Sequence, residues 1–409
     1  MTARVVIVGA GQGGLQAAES LRSKGYPGEI VLCGDERHAP YHRPPLSKGL
    51  LLGEISQDQL TIRQQSVFDK KQITLKANCA VIAIHRDKKM VTLASGENIS
   101  YDHLIIATGA LPRALPFDTA KVKGLHSLRT LDDTLAIQAS LQQAQHLVVI
   151  GGGFIGLEMA AVARKLGKQV AVVEYADRLM ARVVSTEISA FYKTLHEQHG
   201  CQIRLNSKVT DLKTNPQGQV IGVTLHTGEE LPADMVVLGI GVLPNTSLAE
   251  QAGLHCQQGI VTDRSGRTSD PAIFAIGDCS VQKLENGTML RLESVQNAVE
   301  MAKACAEAMT GEEKPFIAAP WFWSDQYDIK LQMVGLSSGY DQAVLRGSLE
   351  TNKFSYFYFK NRTLLAIDSI NASADHMTGR KLLSSENTLT PEQAADLDYE
   401  LRTAQLVLQ

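Results

Sequence analysis

No apolar run in the 409 residues is long enough to cross a bilayer, and neither sign of charge is in marked excess. Lys and Arg number 40 against 43 Asp and Glu, a net charge of −3, which excludes the broad basic footprint of a nucleic-acid binder. Cysteine is sparse: Cys33, Cys79, Cys201, Cys256, Cys279 and Cys305, with no pair spaced as CxxC or CxxxxC. A zinc ribbon and a local dithiol centre are thereby excluded, and the thiols read as small buried hydrophobes. The 11 histidines show no metal spacing; His38 and His42 are four apart, but Pro40 between them argues against a helical ligand pair. No metal is expected. The opening MTARVVIVGAG enters a strand almost at once, leaving no room for a signal peptide, so a cytoplasmic protein is expected. A composition of 44% hydrophobic and 20% charged residues argues against disorder, and the length calls for two or three domains.

What is present is a repeat. Residues 4–14 read RVVIVGAGQGG and residues 146–156 read HLVVIGGGFIG. Each is an apolar β-branched run, then glycines, then a helical stretch (LQAAESLRSKG and LEMAAVARKLG), then a second apolar strand (EIVLCGDE and QVAVVEY). This is the βαβ unit, twice. The repeat has a second half: residues 95–112 align without a gap to 227–244, matching Asp102 with Asp234, Gly109 with Gly241 and Pro112 with Pro244. The fold class read from this is α/β, with two Rossmann-like dinucleotide-binding domains. Beyond Pro315 aromatics cluster (PWFWSDQYD, 320–328), strands follow and a helical tail closes the chain, which reads as a C-terminal α+β domain. The expected division is a discontinuous first domain, 1–112 and 245–318, a second at 113–244 and a third at 319–409.

Gly9, Gly11 and Gly14 are spaced G-x-G-x-x-G. The first glycine permits a tight bend and the second admits backbone to the phosphates. The third lets the helix pack closely, so its N-terminal N–H groups face the anion. Asp35 and Glu36, 26 and 27 residues after Gly9, are candidates to accept from ribose hydroxyls. Gly151, Gly153 and Gly156 repeat the turn, with Glu174 lying 23 residues after Gly151. A carboxylate there binds a free 2′-hydroxyl and repels a 2′-phosphate, which favours NADH over NADPH. Two sites imply one resident and one visiting dinucleotide; a nicotinamide needs an electron acceptor, and a flavin is the usual resident.

Taken in order, GAGQGG (9–14), PYHRPPLSK (40–48), ATGALPR (107–113), GGGFIGLE (151–158), FAIGDC (274–279), RLESVQNA (291–298) and PWFWSDQYD (320–328) resemble the FAD-dependent pyridine nucleotide reductases. Within them, the chain is most similar to the NADH-dependent ferredoxin reductases of bacterial oxygenase systems, of the putidaredoxin, biphenyl dioxygenase and rubredoxin reductase kind. The resemblance implies a glutathione reductase-like fold with a C-terminal interface domain, bound FAD and NADH as co-substrate. It also implies a [2Fe–2S] ferredoxin or rubredoxin as acceptor, no nucleic-acid or membrane partner, and a monomer or homodimer.

Carried over by residue, Arg43 and Lys48 lie along the flavin, Lys48 near its N5 edge and paired with Glu158. A cation there favours the reduced, anionic ring, and the carboxylate fixes the cation's position. Ala107, Thr108, Gly109 and Arg113 of ATGALPR, with Gly241 as the repeat's match, line the nucleotide sites. Asp278 is the family aspartate toward the ribityl and pyrophosphate part of FAD. Glu293, Ser294 and Val295 open a helix facing the flavin N1/O2 edge, with Val295 where many relatives carry Trp. Trp321 and Trp323, two apart, are expected on opposite faces of a strand, one toward the core, with Trp323 flanking the flavin where the partner docks. Leu46-Ser47-Lys48 stands where disulfide reductases carry a dithiol, and NADH oxidases and peroxidases a redox cysteine, so electrons leave the ring directly. An NADH oxidase using oxygen and a signalling flavoprotein of the apoptosis-inducing-factor type are the rival readings; the missing cysteine and the lack of basic targeting segments count against them.

Overall fold

Residues 5–8 and 147–150 are buried along their whole length, as parallel strands covered on both faces must be. The computed structural model describes residues 3–284, 287–312, 319–385 and 389–404. In chain order, β1 (Arg4–Val8), α1 (Gln12–Ser23), β2 (Glu29–Cys33), β3 (Ile73–Lys76) and β4 (His103–Ile106) come first. Next are β5 (Leu125–Ser127), α2 (Leu131–Gln143), β6 (His146–Ile150), α3 (Phe154–Lys165), β7 (Gln169–Val173), α4 (Thr186–Gln198), β8 (Cys201–Arg204) and β9 (Met235–Leu238). Then follow β10 (Ile273–Ala275), α5 (Val295–Met309), β11 (Trp321–Gln326), β12 (Ile329–Gly335), β13 (Gln342–Ser348), β14 (Lys353–Lys360), β15 (Thr363–Ile370) and α6 (Ser373–Leu382).

The chain divides into two compact units. One comprises residues 1–42, 57–111 and 243–317; the other comprises 43–56, 112–242 and 318–409. The first carries a parallel sheet in the order β10-β4-β1-β2-β3. The second carries β5-β9-β6-β7-β8, also parallel. The two orders are the same, except that the edge strand comes late in the chain in the first unit and early in the second. A three-stranded antiparallel ribbon fills the same place in each repeat, at residues 81–100 and 209–232. The matched aspartates play the same part in each unit. Asp102 accepts from the Arg4 N–H (2.6 Å), and Asp234 from the Gln145 and His146 N–H groups (2.9 Å each), pinning the entry to β1 and β6. The mixed α/β class and the doubled Rossmann architecture are as the repeat implies.

The units differ from the expected domain division in two places. Residues 43–56 cluster with the second unit, because the Pro44–Ser47 turn packs on α3 through Ser47 and Lys48. The C-terminal antiparallel sheet, in the order β11-β12-β15-β14-β13, also clusters there. Its Leu331, Phe354, Tyr356 and Tyr358 share one core with Leu157 and Ala160 of α3 and Ile188 and Tyr192 of α4. Its other face closes over Val334, Phe357, Phe359 and Ile367. The expected boundary at 318, like Pro315, lies outside the described residues.

Candidate functional site

In the first unit the turn at Gly9 bends with φ +112°, and a Cβ there would stand 2.2 Å from the Ala107 carbonyl oxygen. At Gly14 a Cβ would meet the Gly9 carbonyl oxygen at 1.9 Å, so only glycine lets α1 start this close to β1. Gly151 and Gly156 repeat both features in the second unit. The middle glycines are different: a Cβ on Gly11 would have nothing within 4 Å, and one on Gly153 only the Gly239 oxygen at 3.7 Å. These are open cradles, and the helices they begin have no side-chain cap. By contrast Thr130 caps α2, Ser185 caps α4 and Ser294 caps α5. Four orphan N–H groups at each uncapped start need an acceptor, which a pyrophosphate would supply. The residues present therefore fit a dinucleotide at each turn.

Around the first turn, Ala107 N–H bonds Val8 O, Thr108 Oγ1 donates to Asn245 O (2.7 Å), and Gly109 turns with φ +68°. Asp35 is exposed just past β2, while Glu36 accepts from the buried Tyr41 hydroxyl (2.5 Å). Asp278 sits half-buried on the short turn after β10. Glu293 is exposed and ion-paired with Arg291; Ser294 accepts from Asn297 N–H (3.1 Å), and Val295 opens α5.

The rest of the expected set lies in the second unit. Glu174 occupies the position after β7 that Gly34 holds after β2, so the first-unit acid comes one residue later in the repeat. Its carboxylate accepts from Gly152 N–H (2.6 Å) and Ala176 N–H (2.7 Å), fixed at the lip of the glycine turn. The guanidinium of Arg178 is bound to the carbonyls of Ala181 and Val184, at 2.6 and 2.8 Å, and so belongs to that loop's own structure. Arg113 is exposed, its N–H on the Gly241 carbonyl (3.0 Å), so ATGALPR is divided between the two units. Glu174→Ala should lower the NADH-to-NADPH ratio of specificity constants about tenfold, the scale of one charged hydrogen bond. An unchanged ratio would remove Glu174 from cofactor choice.

The densest chemistry surrounds Glu158. Pro44 and Pro45 set φ for a 3₁₀ turn whose last residues, Ser47 and Lys48, both reach this carboxylate. Lys48 Nζ lies 3.1 Å from Oε1, Ser47 donates to Oε2 (2.5 Å), and Ser324 of β11 donates to Oε1 (2.6 Å). Asp325 Oδ2 is 3.9 Å from Lys48 on the solvent side. Glu158 is only 3% exposed; burial pushes its pKa up, while the Lys48 ammonium, then the Ser324 and Ser47 hydroxyls, oppose that. Arg43 begins the same turn and donates to the Arg129 carbonyl (2.7 Å). Lys48 and Glu158 are thus together as expected. Ser47, Ser324 and Gln326 carry no assignment from the sequence, although Ser324 and Gln326, polar two apart on an otherwise aromatic strand, are a readable signal.

Trp321 and Trp323 correct the expectation of opposite faces. Their rings lie 5.5 Å apart, because residues two apart in a strand share a face. Trp321 packs against the C-terminal core and carries the Arg380 guanidinium 4.7 Å over its ring; Trp323 is half-buried beside it.

Sequence comparison decides the family. The model described as pyridine nucleotide-disulphide oxidoreductase matches residues 3–302, and that described as reductase C-terminal matches 321–405. The chain belongs to the pyridine nucleotide-disulphide oxidoreductases. Among members of this family it is 46% identical to rhodocoxin reductase of Rhodococcus erythropolis, over 98% of this chain and 94% of that protein. It is 40% identical to putidaredoxin reductase of Pseudomonas putida, over 97% and 96%. The solved ferredoxin reductase for the CYP199A2 system from Rhodopseudomonas palustris superposes with a TM-score of 0.95 at 45% identity, covering 98% of this chain and 99% of that one. A covalent putidaredoxin reductase–putidaredoxin complex gives 0.94 at 40% identity, covering 98% and 97%. Among the described residues of this oxidoreductase, no helix is long and apolar enough to cross a membrane.

Proposed function

We propose that this chain is a cytoplasmic NADH-dependent ferredoxin reductase, passing electrons from NADH through FAD to a small iron–sulfur protein that feeds an oxygenase. When bound, FAD supplies hydride acceptance and the release of electrons one at a time. The observation that carries the reading is the pair of uncapped glycine turns, one in each unit, each an open cradle at a helix start.

The turn at Gly9, Gly11 and Gly14, with Asp35, Glu36, residues 107–109, Asp278 and the start of α5, holds the resident dinucleotide. The turn at Gly151, Gly153 and Gly156, with Glu174, Arg113 and Gly241, holds the visiting one. Lys48 supplies a fixed positive charge, and Glu158 keeps that charge in place. No cysteine stands between Cys33 and Cys79, so no thiol takes the electrons on from Lys48's neighbourhood. Residues 319–409, with Trp323, form the partner-facing domain. A [2Fe–2S] protein is preferred to rubredoxin chiefly because of the PWFWSDQYD stretch (320–328) of this domain.

Titrating the purified, NADH-reduced protein with a [2Fe–2S] ferredoxin, a rubredoxin and oxygen tests this. Reoxidation faster with ferredoxin than with oxygen by at least about a hundredfold is expected. Fast NADH consumption with oxygen alone transfers the reading to an oxidase. A long-lived reduced complex indifferent to every acceptor transfers it to a signalling flavoprotein.

A further inference from the structure

The contacts around Glu158 do not end at Ser324. β11 alternates, and its residues Phe322, Ser324 and Gln326 point toward α3 and α4: Phe322 packs on Phe154 (4.7 Å between rings), Ser324 on Glu158, and Gln326 on His196. Ser324, Gln326 and His196 are all fully buried. The proton positions follow from the carboxylate outward. An ionised Glu158 only accepts, so Ser324 donates to it and takes the Gln326 Nε2–H on its lone pair (3.2 Å). The amide oxygen of Gln326 then faces His196 Nε2 at 2.8 Å, which places the imidazole proton on that nitrogen. Nδ1 is left to accept, and the Tyr327 hydroxyl lies 3.2 Å away, with Cys201 Sγ at 3.7 Å from the same nitrogen. Every proton in the chain points toward Glu158.

We propose that His196 is a positioning residue for electron transfer: through Gln326 and Ser324, its Nε2–H keeps the Glu158 carboxylate ionised and aimed at Lys48. This rests on the reading of Lys48 and Glu158 given above. Aligned hydrogen-bond dipoles in a dry interior reinforce one another, and they stabilise charge at the end toward which they point. The charged and titratable groups facing Glu158 are Lys48, with Asp325 behind it, and Tyr192 of α4. Those facing His196 are Tyr327, Cys201 and, one turn on, His199. Burial, and to a lesser degree His199, holds the His196 pKa down to about 4 against the Gln326 hydrogen bond, so the ring stays a neutral donor. Glu158 is by contrast pushed up and held back by its donors, so withdrawing a link in the chain moves its balance between acid and carboxylate.

The local backbone points the same way. Tyr327 begins a two-residue hairpin turn with φ +58°, an uncommon conformation for an aromatic residue. Its ring stacks on His199 at 3.7 Å between centroids and meets His196 edge-on, which holds the hydroxyl at Nδ1.

The test uses holoprotein labelled with carbon-13 at glutamate carboxyls, the Glu158 resonance being assigned by its loss in Glu158→Gln. His196→Phe keeps the ring volume and removes the donor; Gln326→Met cuts the next link; His196→Gln restores an N–H. The Glu158 midpoint should rise by about one pH unit in His196→Phe and Gln326→Met, and return close to wild type in His196→Gln. Stopped-flow reduction by NADH should fall about tenfold on the acid side of the profile, meet wild type on the alkaline side, and leave KM for NADH unchanged. If His196→Phe does not fold, Gln326→Met decides. A Glu158 resonance that titrates as in wild type, or a rate loss equal at every pH, overturns the proposal. If Lys48→Met reduces at the wild-type rate, the underlying reading falls instead, wherever Glu158 titrates.

Discussion

Lys48→Met should slow reduction by NADH about a hundredfold while FAD stays bound, the loss of the one fixed charge that the proposed function assigns to the flavin. FAD retention follows from membership: the cradle at Gly9–Gly14 belongs to the first unit, Lys48 to the second. The substitution also leaves Glu158 buried without its cation. Breaking a buried pair from one side costs on the order of 3 kcal/mol, unless the carboxyl takes up a proton to escape that cost. Glu158 is already pushed up by burial, so protonation is its available route. The double variant Lys48→Met/Glu158→Gln should therefore recover most of the stability and none of the rate. Stopped-flow flavin bleaching, with denaturant midpoints on the same samples, separates the two effects. Wild-type bleaching in Lys48→Met would remove this residue from the chemistry.

Asp368→Asn should stabilise the protein at pH 8 and leave it little changed at pH 4. Asp368 lies on β15, 1% exposed, and accepts from the Tyr358 hydroxyl at 3.0 Å. Burial raises its pKa to about 7, against the smaller lowering by Tyr358. In the unfolded chain the group titrates near 4. Between these values the folded protein holds a proton that the unfolded chain has lost, so stability falls as pH rises from about 4 to about 7 and stays low above that. A difference of about three pH units corresponds to on the order of 4 kcal/mol. The amide keeps the acceptor for Tyr358 and removes the titration. Thermal midpoints across pH 4–8 should show a descending slope in the wild type that Asp368→Asn flattens; parallel slopes would show that Asp368 is not its source.

Much of the site was legible because its chemistry is local. A glycine turn needs three residues within six, and a βαβ unit brings its acid back to that turn, so Gly9, Gly11, Gly14 and Glu174 could be named from spacing alone. The Lys48–Glu158 pair could not: these residues are 110 apart in sequence, and only the family resemblance joined them. His196 carried no signal at all, since a histidine on an amphipathic helix looks alike whether its ring meets solvent or a buried glutamine. Trp321 and Trp323 share a face because side chains two apart in a strand point the same way.

Alternation of apolar strands with helices, repeated twice, determined by itself the α/β class and the two cradles, because backbone hydrogen bonding and burial of β-branched runs act over short stretches. Tertiary packing alone decided which polar side chains lost their water together. Residues 43–56, α3, α4 and β11 are far apart in the chain, and only folding brings Ser47, Glu158, His196, Ser324 and Gln326 into a dry interior beside the partly exposed Lys48, where hydrogen-bond direction governs charge.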